Sequence, residues 1–260
     1  MDCRLYRKGI AVVVVLFVST LSQHTGQAQA QSVERQGQAQ VQSEERRAQT
    51  KAEQSPNWRD SLAVLNKQIA TQPWSTDLHL RKAAVNLQLQ QWQYAIDEYG
   101  LVLQHQVQNP AALFYRAYAA THLRHYEAAR HDYETFISLF PTHAEARISL
   151  AFVLQQMGRQ TEALDQLNLV VELQPDSAVS YATRAALERD LKQYETALYD
   201  WQQAIRLAPQ NADYVASRVE LLLQEKRTGE ALRELDDAVS RGVPRGLLHQ
   251  WYARCKKVKK

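Results

Sequence analysis

The sequence predicts an all-α fold, a solenoid of stacked helix–turn–helix units closed by a C-terminal capping helix. Three observations carry that expectation. First, the chain matches itself at a step of 34 residues: Ala95, Ala129, Ala163, Ala197 and Ala231 are one such series, and Ala83, Ala117, Ala151, Ala185 and Val219 another. Tyr99, Tyr133, Leu167, Trp201 and Leu235 hold a large apolar place at the same step, and Trp58, Trp92, Tyr126 and Tyr194 a fourth. Second, apolar residues recur inside each step at spacings of three and four, the mark of a helix with one buried face. Between 144 and 177, Ile148, Leu150, Ala151 and Leu154 predict a first helix, Met157 to Gln160 a turn, and Ala163, Leu164, Leu167, Val170 and Val171 a second helix. Third, the 260 residues include only 8 Gly and 7 Pro, and Pro141, Pro175 and Pro209 fall one step apart, with Pro73 two steps before Pro141. Proline cannot continue a helix and turns the preceding residue away from helical geometry, so these positions read as unit ends.

The elements follow in order. Arg4, Arg7 and Lys8 precede an apolar run from Ile10 to Leu21, and Ala28-Gln29-Ala30 follows. A basic start, a short apolar stretch and a small-residue site predict a signal peptide over 1–30, cleaved after Ala28 or Ala30. The run is shorter than the about 20 residues of a spanning helix, so retention as an anchor is the rival reading. On the signal reading the mature chain is exported, periplasmic or secreted, with no integral membrane span. Residues 31–57 are rich in Gln, Glu, Arg and Ala with almost no large apolar residue, and read as a flexible spacer that cannot bury enough surface to offset its ordering entropy. Residues 58–75 read as the second helix of an incomplete leading unit, with Leu62, Leu65 and Ile69 inward. Five full units follow over 76–245, at 76–109, 110–143, 144–177, 178–211 and 212–245. Residues 246–260 read as a capping helix that lays Leu247 and Trp251 on the last unit and turns Lys256, Lys257, Lys259 and Lys260 to water.

These units resemble the tetratricopeptide repeat, a helix–turn–helix unit of 34 residues with small residues where its helices cross. The likeness is strong in the units starting at 110, 144 and 178. It is weaker at 76 and 212, where Val107 and Val243 replace the closing proline, and Asn86 and Glu188 stand where a large apolar residue is usual. The resemblance implies a right-handed solenoid whose first helices line a concave groove for a partner segment. It places Leu80, Leu87, Phe114, Tyr118, Ile148, Phe152, Gln155, Arg189 and Glu220 on the floor of that groove. The first three units offer aromatic and aliphatic side chains there; the last two offer small and charged ones. The Lys/Asn clamp with which chaperone-tail-binding members hold a terminal carboxylate is missing. The expected occupant is therefore a protein or peptide segment with an apolar or aromatic stretch. Packing between neighbouring units is the other reading of Phe114, Tyr118 and Phe152.

Seven places into each unit stand Lys82, Arg116, Leu150, Arg184 and Arg218, and sixteen residues later Glu98, Asp132, Gln166, Asp200 and Glu234. Base and acid are present together in four units and absent together in the other. This covariation within one chain predicts an ion pair between the two helices of each of those units, against the reading of unrelated solvated charges.

Little else points to chemistry. The formal charge is +3, and +1 once residues 1–30 are removed, too balanced for a dedicated nucleic-acid binder. The sequence contains no Gly-rich phosphate loop, G-x-S-x-G, H-E-x-x-H or C-x-x-C. With Cys3 in the signal, Cys255 is the one mature cysteine, on the helical face of Leu247 and Trp251, and reads as a packing residue rather than a reactive thiol. His122, His125 and His131 flank a turn and read as solvated residues rather than convergent metal ligands. No catalytic residue, cofactor or metal is assigned. The function expected is a non-enzymatic scaffold or adaptor of the cell envelope, the alternative a structural subunit that self-associates through the groove or the capping helix.

Overall fold

The computed structural model describes residues 57–258, and every regular element in that span is a helix. The expected signal peptide, the spacer before Asn57 and the last two lysines lie outside the described residues. In chain order the helices are α1 (Trp58–Thr71), α2 (Thr76–Gln88), α3 (Trp92–His105), α4 (Pro110–His122), α5 (Tyr126–Leu139), α6 (Ala144–Gln156), α7 (Gln160–Leu173), α8 (Ala178–Asp190), α9 (Tyr194–Leu207), α10 (Ala212–Gln224), α11 (Thr228–Ser240) and α12 (Arg245–Val258). Each packs on the next in sequence, and the described residues form an all-helical repeat solenoid. None of these helices is long and apolar enough to cross a membrane.

Local chemistry sets where helices start and stop. Ser75, Asn109, His143, Ser177 and Asn211, one step apart, cap α2, α4, α6, α8 and α10 by accepting a backbone N–H of the first turn on the side chain. His143 does this with Nδ1, at 3.2 Å from the Ala146 nitrogen. At the other end each first helix closes through a left-handed residue: Gln90, Arg124, Gly158, Lys192 and Lys226, with φ from 57° to 76°. The next residue then donates back to the carbonyl five places earlier, Gln91 to Asn86, His125 to Ala120, Arg159 to Leu154, Gln193 to Glu188 and Arg227 to Leu222, at 2.8–2.9 Å. This Schellman closure reverses the chain in three residues and sets the angle at which the second helix returns.

Packing explains the alanine series. Ala95, Ala129, Ala163, Ala197 and Ala231 are fully buried, as are Ala83, Ala117 and Ala185, because only a small side chain fits where two backbones cross. Tyr99, Tyr133, Leu167, Trp201 and Leu235 are buried beside them and fill the space between units. In the leading segment Leu65 is buried on α2, with Trp58, Leu62 and Ile69 half-buried around it.

Each of the four units with a base and an acid carries the ion pair. Lys82 reaches Glu98 and Arg116 reaches Asp132, both at 2.7 Å, Arg184 reaches Asp200 at 2.6 Å, and Arg218 pairs with Glu234. Glu98, Asp132 and Asp200 are buried, Glu234 and the four bases half-buried, so each pair ties the two helices of a unit together in reduced dielectric. In the remaining unit Arg147, three places before Leu150, donates to Gln166 at 2.7 Å instead.

The capping helix departs from expectation. Leu247 is 58% exposed, and the buried stripe of α12 is Leu248, Tyr252 and Cys255, with Trp251 half-buried at its edge. The stripe is thus turned by one residue, about 100° around the axis. Tyr252 carries it: its hydroxyl donates to Asp236 of α11 at 2.7 Å, and the Arg245 guanidinium lies 4.4 Å over its ring. Cys255 is fully buried, and Lys256 is exposed.

Candidate partner-binding face

The helices α2, α4 and α6 touch one another across successive units, and that first-helix layer carries the residues expected to meet a partner. Two hollows open on it. One, of about 440 Å³, lies between the end of α2, the start of α3, α4 and the first turn of α6, and is lined by Leu87, Trp92, Phe114, Tyr115, Tyr118 and Glu145 among others. The second, of about 200 Å³, lies between α6 and α8, around Ile148, Phe152, Gln155, Thr183, Ala186 and Asp190.

The structure therefore brings Leu87, Phe114 and Tyr118 together, and separately Ile148, Phe152 and Gln155. Leu80 is half-buried against the core around Tyr99 and Val102 and lines neither hollow. Arg189 pairs with Asp190 at 2.9 Å, and Asp190 also accepts from Gln155 at 3.2 Å, so the rim of the second hollow is closed by its own polar contacts. Glu220 stands apart from both, accepting from Arg254 of α12 at 3.2 Å.

Exposure sorts the aromatics. Tyr118 is 40% and Phe152 49% exposed. Phe114 is half-buried: its ring meets Tyr115, Tyr133, Phe136 and His143 of its own unit at 5.2–5.7 Å, so it packs that unit as well as lining the hollow. Sequence reasoning missed Trp92, Tyr115 and Glu145. In the sequence Trp92 reads only as a repeat marker, yet its ring stacks on His122 at 4.0 Å and 3° and meets Tyr118 edge-on at 6.0 Å. Partial desolvation lowers the pKa of His122, although the residue remains exposed, and so favours its uncharged ring. His125 and His131 are exposed and make no cluster with it, and no group of three metal-binding side chains occurs among the described residues.

Residues 120–187 match the tetratricopeptide repeat family. Among known proteins the chain is similar to Sperm-associated antigen 1 of Mus musculus, 32% identical over 88 residues, which cover 33% of this chain and 10% of that protein. It spans about a tenth of that relative's length. A tetratricopeptide repeat protein of Parabacteroides merdae shares the fold, with a TM-score of 0.63 at 18% identity over 78% of this chain and 80% of that one. So does YrrB, described as a TPR protein with an unusual peptide-binding site, with a TM-score of 0.55 at 17% identity over 72% of this chain and 96% of that one. Residues 120–187 thus carry the tetratricopeptide repeat, and the same 34-residue step and buried alanine crossings continue on both sides of that segment.

Proposed function

We propose that this chain is an exported, non-enzymatic adaptor of the cell envelope that holds a segment of a partner protein along its first-helix face. Tetratricopeptide repeats in general serve as scaffolds for protein–protein interaction, and the finer reading rests on one observation. Tyr118 and Phe152, both substantially exposed, each line a hollow on the same layer of helices, where buried aromatic anchors are worth most to a binding partner. The peptide-binding site named for YrrB is consistent with such a use of the fold. Export is supported by Arg4, Arg7, Lys8, the apolar run to Leu21 and the Ala28-Gln29-Ala30 site.

The test is site-specific photo-crosslinking in intact envelopes. A photoreactive residue at Phe152 should trap a defined partner, one at Tyr199 on the second-helix surface should not, and Tyr118→Ala/Phe152→Ala should lose the interaction without loss of helicity. Equal trapping from both positions would place the contact elsewhere. Trapping only of a second copy of the chain would make it a self-associating subunit.

A further inference from the structure

The larger hollow holds one carboxylate and no cation. Its walls join Leu87, Trp92, Tyr115 and Tyr118 to the neutral amides of Gln88 and Gln90, and Glu145 stands exposed on its rim, in no ion pair among the described residues. The basic side chains of the surrounding helices are engaged elsewhere. Arg81 pairs with Asp77, Lys82 with Glu98, and Arg116 with Asp132, while Arg147 donates to the Pro141 carbonyl and to Gln166. His122, stacked on Trp92, stands exposed with its pKa lowered by partial desolvation, which favours the uncharged ring. Among the described residues the hollow is thus an aromatic surface flanked by two neutral amides, with a single uncompensated negative charge at its edge.

Resting on the groove reading above, we propose that this hollow receives an arginine side chain from the partner segment, with apolar neighbours seated toward Phe152. A guanidinium is planar, is attracted to aromatic faces, and offers paired donors to a carboxylate; an ammonium lacks the plane and the fork. An acidic segment would meet Glu145 and find no cation to answer it. A wholly apolar one would leave Glu145 desolvated beside it without a partner. Charge complementarity therefore selects a basic residue set among apolar ones.

Random decapeptides displayed and selected against the full chain test this. The expected result is enrichment of arginine at one fixed position between apolar residues. Replacing that arginine by citrulline, which keeps shape and removes charge, should weaken binding about tenfold. Glu145→Gln should lose the arginine preference, Glu145→Asp should keep part of it, and both should keep the wild-type melting curve. Selected peptides that depend on Tyr118 and Phe152 yet bind equally with citrulline would overturn the arginine assignment and leave the groove intact. An absence of selected peptides, or peptides indifferent to Tyr118→Ala/Phe152→Ala, would overturn the groove reading and this inference with it. Enrichment of acidic peptides would overturn the charge argument.

Discussion

Arg184 grips Asp200 with both arms of its guanidinium, Nε donating to Oδ2 at 2.6 Å and Nη2 to Oδ1 at 2.9 Å. Its third nitrogen, Nη1, donates to Asn168 of the preceding unit at 3.1 Å, so one side chain joins three helices. Asp200 is 1% exposed, and its charge is tolerated there only because the guanidinium answers it. Asp200→Ala alone should therefore destabilise by about 3 kcal/mol, since it leaves Arg184 partly desolvated and unmatched. Arg184→Met/Asp200→Leu should cost clearly less than the two single changes together, a coupling of about 1–3 kcal/mol. Urea unfolding of the four proteins reads this directly. Additive losses would mean that the two charges act independently.

Glu188 is the discordant member of its series. Its equivalents are Asn86, Ala120, Leu154 and Leu222, and its Oε2 is buried with no hydrogen-bond partner. Burial, helped by the nearby charge of Asp200, pushes its carboxyl pKa up to about 7, against the opposing pull of Arg184 and a hydrogen bond with Thr196. Between about pH 4.5 and 7 the folded chain keeps a proton that the unfolded chain gives up, so stability falls as pH rises through that window. The penalty is complete above pH 7 and absent below the unfolded value. Glu188→Gln should thus match wild type at pH 4 and exceed it at pH 8 by an amount on the order of 2 kcal/mol. A difference between the two proteins that does not change with pH would show that this carboxyl is not displaced.

The turn after each first helix needs a left-handed residue, and four of five positions use a side chain that pays for it: Gln90, Arg124, Lys192 and Lys226, with φ of 57–61°. The strain of such a residue is about 1 kcal/mol, partly offset in glycine by its greater freedom when unfolded. Lys192→Gly and Lys226→Gly should each raise stability by about 0.5 kcal/mol, and Gly158→Ala should lower it by about 1 kcal/mol. Thermal melts suffice. No gain from either lysine replacement would mean that these side chains earn their place by contacts outside the turn.

What the sequence revealed and what it hid follows from the same physics. Alanine at a helix crossing is a steric demand, so it left a series at the 34-residue step, and the ion pairs were visible because losing one partner selects against the other. The first-helix caps share that step but include His143, whose ring nitrogen acts as an acceptor that residue type alone does not announce. The left-handed turn positions were silent because only Gly158 among them carries the residue that marks such geometry. The candidate site was half legible. Tyr118 and Phe152 stood out on the first-helix register, whereas Phe114 on the same register is half-buried among the aromatic rings of its own unit. Trp92 comes to the face from a second helix and Glu145 from the next unit, a juxtaposition that only the stacking of units creates.

The capping helix has no repeat to set its phase, and there the expected and observed faces differ by one residue. Leu248 is fully buried with Val215, Val219, Leu235 and Tyr252 in one cluster, whereas Leu247 is 58% exposed. Leu248→Ala should remove a well-packed side chain and cost about 2–4 kcal/mol, with loss of cooperativity starting at the C-terminal end of the solenoid. Leu247→Ala should stay within about 0.5 kcal/mol of wild type. Hydrogen exchange locates the effect: in Leu248→Ala the amides of α11 and α12 should lose protection first, since each unit leans only on its neighbours, while α4 to α7 should hold theirs. If Leu247→Ala proved the more damaging, the face of α12 that closes the stack would be the one its sequence first suggested.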